Sequence, residues 1–252
     1  MIPYRKKREI GNATLYLADC RAIAADLEKA RLVVTDPPYR LTSGGKNGGG
    51  MNGGWMSDYN NNGAVVACDI DWPEIMGLCF SLCADDADAY VMANDKNLVP
   101  AGYSAGVAGF CIHNILVWDK VNATANRWYM KNCEYVLFLW KGRASKINNA
   151  SSKQLIRLPQ IDESNHPTEK PVELMAHYIE NSSRPGDLVT DPFMGSGTTG
   201  VAATKLGRRF IGVEIDVGHF ETACERISKT RTQSDLLTVA PTPRATQEGL
   251  QV

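Results

Sequence analysis

The sequence lacks an apolar run of membrane-spanning length. Its start, Met1-Ile2-Pro3-Tyr4 followed by Arg5-Lys6-Lys7-Arg8, lacks the apolar stretch of a secretory leader. Neither a membrane anchor nor export is expected, and the chain reads as cytoplasmic. There is no Cys-x-x-Cys. The seven cysteines (Cys20, Cys68, Cys79, Cys83, Cys111, Cys133, Cys224) are an odd set, mostly inside apolar stretches. They read as reduced thiols, not a disulfide frame or zinc site. His113, His166, His177 and His219 show no ligand spacing, so no metal is expected. Net charge is also scarce. A formal value of −1 excludes a generally basic coat, so any nucleic-acid contact has to come from a local surface. No internal repeat is present.

What remains is a 252-residue chain whose hydrophobic fraction, 44%, suffices for one sizeable core. It is organised around Asp36-Pro37-Pro38-Tyr39. The preceding Arg31-Leu32-Val33-Val34-Thr35 reads as a short buried strand, apolar and β-branched. Two prolines then block both helix continuation and ladder pairing. The result is a stiff turn at a strand's C-terminal edge, which carries a carboxylate, a carbonyl and an aromatic ring. In open α/β sheets ligands bind at that edge. An ordinary Asp-Pro turn would look the same in isolation.

Residues 14–19 alternate as a strand ending in Asp19, 21–29 look helical, and the strand to Asp36 completes a β-α-β unit. Residues 41–63, rich in Gly and Asn, show no periodicity and read as a lid that orders on substrate. Asp71-Trp72-Pro73-Glu74 starts a helix running to Cys83. A strand (88–93), a small-residue helix (96–109) and strands at 111–118 and 133–140 follow. Then come a helix (172–182), a strand (187–191), a helix (198–206), a strand (209–214) and a last helix (217–230). The polar stretch from Thr232 reads as a disordered tail. Alternating strands and helices predict an α/β protein with a mostly parallel sheet covered on both faces.

Between a strand and a helix lies Asp191-Pro192-Phe193-Met194-Gly195-Ser196-Gly197-Thr198-Thr199-Gly200. Its glycines permit a tight turn and close approach of a ligand, and the helix start offers free N–H groups to an anionic group. Glu214 ends the next strand, where an acid suits the ribose hydroxyls of a nucleoside. The loop matches Gly-x-Gly-x-x-Gly literally, so a nicotinamide dinucleotide and another adenosine-bearing cofactor both fit it. Elsewhere, Lys120, Arg127, Lys131, Lys141, Arg143, Lys146, Lys153 and Arg157 face a single acid, Glu134, within residues 120–157. That local excess of seven positive charges reads as a DNA-contacting segment or as a solvated basic face.

Taken together, the two motifs resemble the DNA amino-methyltransferases that use S-adenosylmethionine. Asp36 to Tyr39 resembles their catalytic tetrapeptide, and Phe193 to Gly197 their cofactor loop. The order, catalytic motif first and cofactor motif last, is similar to the β class, and the likeness spans residues 14–230. His166 to Pro171 is similar to the segment before the cofactor strand in that class. The resemblance implies a seven-stranded, Rossmann-like sheet in one circularly permuted domain, residues 1–230, with a DNA-recognition segment inserted at about 120–165. Duplex DNA is the implied partner, a homodimer is expected, and the site would be the nucleoid of a bacterial or phage-infected cell.

The resemblance also implies roles. Asp36, Pro37, Pro38 and Tyr39 would be catalytic, Asp36 lying beside the cofactor as well. Asp19 and Cys20 would meet its adenine, and Glu214 with Ile215 its ribose. Asp191 and the backbone around Phe193, Met194, Gly195, Ser196 and Gly197 would hold the methionine part, with Thr198, Thr199 and Lys170 at its carboxylate. Asp as the first motif residue is similar to adenine enzymes, Ser to cytosine ones. Cytosine N4 stays open, as do an RNA or protein amide substrate, a nicotinamide dehydrogenase and a catalytically silent DNA-binding module.

Overall fold

The structure is a computed structural model that describes residues 3–38, 70–124, 129–160 and 170–238. Tyr39, Arg127, the expected lid at 41–63 and His166 lie outside the described residues.

Strand β1 (Lys6–Ile10) is an exposed, charged edge strand and turns at Gly11, φ 58°, into β2 (Ala13–Leu17). Asp19 caps α1 (Cys20–Ile23) by accepting from the Arg21 N–H at 3.0 Å. The helix expected to reach residue 29 is one turn plus a 3-10 turn at Ala24–Asp26, and β3 (Ala30–Thr35) follows. Asp71 caps α2 (Trp72–Leu82) through the Glu74 N–H at 3.0 Å. Next come β4 (Cys83–Ala93), α3 (Leu98–Ala108), β5 (Cys111–Thr124), β6 (Lys131–Trp140) and β7 (Leu155–Arg157). The second half holds α4 (Val172–Ser182), β8 (Leu188–Asp191), α5 (Thr198–Lys205), β9 (Arg209–Glu214) and α6 (Val217–Thr238). Helix α6 therefore extends into the stretch read as a disordered tail.

The nine strands form one sheet in the order β1-β2-β9-β8-β3-β4-β6-β5-β7. The run from β2 to β5 supplies the expected seven, and β1 and β7 are short additions at the edges. Strands β2, β9, β8, β3 and β4 are parallel neighbours, whereas β6 runs antiparallel between β4 and β5. The unit read around Asp19 is parallel, but β9 and β8 lie between its two strands.

Helices cover both faces. Ile75, Met76, Cys79 and Leu82 of α2, with Ala101 and Ala105 of α3, pack against Val33, Ala89 and Val91 on one face. Leu174 and Tyr178 of α4, Val201 of α5 and Phe220 and Ile227 of α6 pack against Leu32, Val34 and Tyr90 on the other. Cys20, Cys79, Cys83 and Cys224 are buried free thiols, whereas Cys111 is exposed and Cys133 half-buried. Among the described residues no helix is long and apolar enough to cross a membrane.

From β3 the chain leaves towards β4 on one side, and from β8 it leaves through α5 towards β9 on the other. The two central strands thus diverge at their C-terminal ends, and such a switch point opens a crevice. Asp36 follows β3, Asp191 ends β8, Glu214 ends β9 and Asp19 lies just past β2. The topology thus sets four acids along one edge.

Candidate active site

The two motifs meet. The Thr35 hydroxyl donates to Asp191 Oδ1 at 2.7 Å, joining the end of β3 to the start of the glycine loop. Asp191 is fully engaged inside the protein. It also accepts from the Phe193 N–H at 3.1 Å and from the Thr199 hydroxyl at 2.7 Å. The structure therefore makes Asp191 and Thr199 a clamp between β3, the loop and α5; their polar atoms are committed to each other.

Burial pushes the Asp191 carboxyl from 3.8 up to about 6, against the three donors, which lower it. The folded protein then holds this proton where the unfolded chain has released it. The stability this adds is full below about pH 4 and is lost as pH rises through about 6. Relative to the wild type, Asp191→Asn is expected to gain up to about 3 kcal/mol between pH 4 and pH 7. Urea unfolding across that range checks the slope; parallel curves would contradict the assignment.

Around the loop, Gly197 takes the left-handed conformation, φ 85°, against Ala223 of α6; an added Cβ would lie 2.8 Å from the Ala223 Cβ. Gly195, φ 52°, has nothing within 4 Å of such a position, so bare backbone faces open space there. Arg226 of α6 donates to the Ser196 carbonyl and hydroxyl, both at 2.8 Å, and to the Thr198 hydroxyl at 3.3 Å. Sequence reading missed Arg226, whose place on a terminal amphipathic helix gave no signal. The Met194 side chain is a core residue, 4% exposed, so the contact expected of this loop falls to its backbone. Gly212 of β9 leaves the space for its thioether, and its backbone N–H donates to the Val213 carbonyl at 3.0 Å.

Glu214 is nearly buried and accepts three backbone N–H bonds, from Gly195 at 2.9 Å and from Ile215 and Asp216 at 2.8 Å each. A carboxylate offers about four such positions, so roughly one remains for a hydroxyl. The Ala18 N–H donates to the Glu214 carbonyl at 2.8 Å, which brings Asp19 and Cys20 alongside. Asp19 is held by Arg21, whose side chain lowers its pKa by hydrogen bonding.

Asp36 is paired on one oxygen only. Lys170 Nζ lies 2.5 Å from Oδ2, whereas Oδ1 is buried and has no hydrogen-bond partner among the described residues. The lysine expected at a cofactor carboxylate is thus paired with Asp36. Burial holds the Asp36 carboxyl above its ordinary range; Lys170 opposes this and Glu134 adds to it. Pro37 is buried and Pro38 half-buried behind it.

The basic segment divides. Because β6 runs antiparallel, its C-terminal end registers with Asp88 and Cys111, at the edge opposite Asp36. Lys141 and Arg143 lie there, which corrects their assignment to the DNA surface. Lys141 donates inward to the Phe80 and Cys83 carbonyls, and Arg143 pairs with Asp86 at 2.7 Å. At the Asp36 edge, Lys120 pairs with Glu134, Lys131 with Asp95 and Arg157 with Asp119. Lys146 and Lys153 are exposed. The excess of positive charge in the sequence is largely neutralised by acids that fold in around it.

A buried acceptor orphaned among the described residues, open space at Gly195 and the start of α5 fit an amino group meeting an adenosyl cofactor. Comparison with known proteins agrees. The N6/N4 methyltransferase family model, described as DNA methylase, matches residues 30–225. The type II methyltransferase M2.LlaDCHI of Lactococcus lactis subsp. cremoris is 27% identical, over 91% of this chain and 93% of its own. M2.MboI of Moraxella bovis is 26% identical, over 85% and 87%. The crystal structure of an M1.HpyAVI–SAM complex is 25% identical with a TM-score of 0.66, covering 85% of this chain and 99% of that one. The PvuII cytosine-N4-specific DNA methyltransferase shares the fold, with a TM-score of 0.66 at 18% identity, over 92% and 96%. On the family match and this geometry, the chain belongs to the N6/N4 DNA methylase family.

Proposed function

We propose that adenine N6 is the atom this DNA methyltransferase methylates, in duplex DNA, with S-adenosylmethionine as donor. The observation that carries the transfer site is the buried Oδ1 of Asp36, without a partner among the described residues, beside the glycine loop; it suits either exocyclic amine, and the choice of adenine rests on the aspartate that opens the motif. When bound, S-adenosylmethionine supplies an electrophilic methyl group. The chain's own residues have to make the nitrogen a nucleophile, because its lone pair is delocalised into the base. Asp36 Oδ1 and the Pro37 carbonyl would each accept one N–H of the amino group and favour a pyramidal nitrogen. Fixed acceptors beside developing positive charge, and in-line positioning, supply most of the acceleration. The methylated nitrogen is strongly acidic and gives its proton to Asp36 or water. Tyr39, next in the motif, would stack on the base.

A base inside a duplex cannot reach this edge, so it has to be flipped out, at a few kcal/mol. Stacking worth about 1–3 kcal/mol offsets much of that. For the cofactor, Glu214 and Ile215 would meet ribose, and Asp19 and Cys20 adenine. The backbone of Phe193, Gly195, Ser196 and Gly197, with the N–H groups of Thr198 and Thr199, would cradle the methionine part. Among the basic residues, Lys120, Lys131 and Arg157 lie at the right edge to approach phosphate.

The aspartate that opens the motif resembles adenine enzymes; cytosine N4 is the second reading, favoured by the shared fold with the PvuII enzyme. Incubation with methyl-free amplified genomic DNA, followed by nucleoside mass spectrometry, is expected to yield N6-methyladenine. N4-methylcytosine would replace the first reading with the second, and methylated RNA or protein with no methylated DNA would overturn both. A homodimer belongs to the same proposal. Val99, Tyr103 and Val107 form an exposed apolar stripe on α3, and sedimentation checks whether a second copy covers it.

A further inference from the structure

One acid stands alone in the basic segment, and the fold carries it to the site. Glu134 lies on β6 opposite Trp118 of β5, two residues before Lys120. Lys120 pairs with one of its oxygens, and Lys170 Nζ lies 3.4 Å from the other. Lys170 in turn holds Asp36 Oδ2 at 2.5 Å. The side chains of Lys170, Glu134 and Lys120 are 11%, 15% and 19% exposed. The group alternates in charge, Asp36–Lys170–Glu134–Lys120, and is neutral as a set.

We propose that Glu134 is a positioning residue that holds the Lys170 ammonium on one oxygen of Asp36, so that the other oxygen is the one that meets the amino group. A lysine head on a four-carbon stem has three rotatable donors and no fixed direction. A contact to Asp36 does not by itself select one carboxylate oxygen over the other. Glu134 is a second anion at ion-pair distance from the same ammonium, 3.4 Å from Nζ, and it also stands between Lys170 and the like charge of Lys120. Placed so, Lys170 leaves Oδ1 as the acceptor. The inference rests on the reading of Asp36 as the amino-group acceptor.

The charged groups facing Asp36 are Lys170 ahead of α4, Glu134 on β6, Lys120 on β5 and Asp191 on β8. Removing Glu134 takes away a charge that raises the Asp36 pKa, and removing Lys120 takes away one that lowers it. The acid limb of the rate should therefore move in opposite directions in the two variants. A role confined to packing moves neither limb.

The test is methyl transfer to amplified, methyl-free genomic DNA by wild type, Glu134→Gln, Glu134→Asp, Lys120→Met and Asp36→Ala, with kcat, KM and pH profiles. In Glu134→Gln we expect kcat to fall about 10- to 100-fold, as a misplaced acceptor does. The KM for cofactor should stay within about threefold, because the loop contacts are untouched. The acid limb should shift to lower pH in Glu134→Gln and to higher pH in Lys120→Met. Glu134→Asp should recover part of kcat and keep the wild-type limb. If Glu134→Gln does not fold, the Glu134→Asp and Lys120→Met profiles decide. Wild-type kcat in Glu134→Gln, or limbs that stay put or move together, would overturn the inference while Asp36→Ala stays inactive. An active Asp36→Ala would instead overturn the reading beneath it.

Discussion

Asp36→Ala is expected to lower methyl transfer to DNA by about a thousandfold or more, with cofactor affinity close to wild type. The separation of the two effects follows from the geometry. Among the described residues Asp36 Oδ1 is buried without a partner, and Oδ2 is held by Lys170, so neither oxygen bonds to the glycine loop there. The loop's anchors are Thr35, Asp191, Thr199, Glu214 and Arg226, all of which the substitution leaves in place. Asp36→Asn makes a sharper comparison. It keeps the shape and a carbonyl acceptor but loses the charge, and Lys170 would capture that carbonyl. We expect it to lie nearer to alanine than to wild type in rate. The checks are a filter-binding methyl-transfer assay and calorimetry with S-adenosylmethionine. A variant that transfers methyl groups at more than a tenth of the wild-type rate would contradict the role given to Asp36.

Glu214→Ala is expected to do the reverse and weaken cofactor binding first. The carboxylate accepts from Gly195, Ile215 and Asp216, so its removal strands one backbone donor in the glycine loop and two just past β9. An unsatisfied buried donor costs about 1–3 kcal/mol. One such loss, carried into the bound state, corresponds to roughly a 10- to 100-fold rise in Kd. The loss of a ribose contact acts in the same direction. Glu214→Gln keeps one acceptor oxygen and turns an amide against the remaining N–H groups, so its Kd should fall between wild type and alanine. Unchanged affinity in Glu214→Ala by calorimetry would remove Glu214 from the site.

Much of the fold and site was legible in the sequence because the signals were local. Two prolines stop a strand wherever they stand, Asp71 and Glu74 announce a helix start, and a glycine loop between β8 and α5 needs no partner to be seen. What escaped depends on distant pairing. β1 is three exposed charged residues between a lysine and an isoleucine, and only its ladder to β2 makes it a strand. β7 is three residues long and exists because Val117 to Asp119 offer it an edge. The helix read at 21–29 stops early because Leu27 to Lys29 leave the helical path to enter β3.

The site shows the same divide. Asp191 and Met194 sit in the motif, and the fold turns the first side chain into an internal clamp and the second into the core. Motif membership does not say which way a side chain turns. The basic segment misled more, because charge summed along the chain ignores the acids that other elements bring. Asp119 borders it in sequence, Asp86 and Asp95 come well before it, and all three lie against it in space. Glu134 left a trace that could have been followed. A lone acid in a stretch of eight cations is a local misfit, and such a misfit is easier to explain by a buried partner than by a solvated face.

The most direct test is a crystal structure of the chain with a short duplex carrying its methylation site and the non-reactive cofactor analogue sinefungin. A base turned out of the duplex with its amino nitrogen within about 3.2 Å of Asp36 Oδ1, the adenosyl group lying over Gly195 and Gly197, is the arrangement this account requires. An amino nitrogen bonded elsewhere, or an analogue seated away from the Asp36 and Gly195 edge, would contradict it.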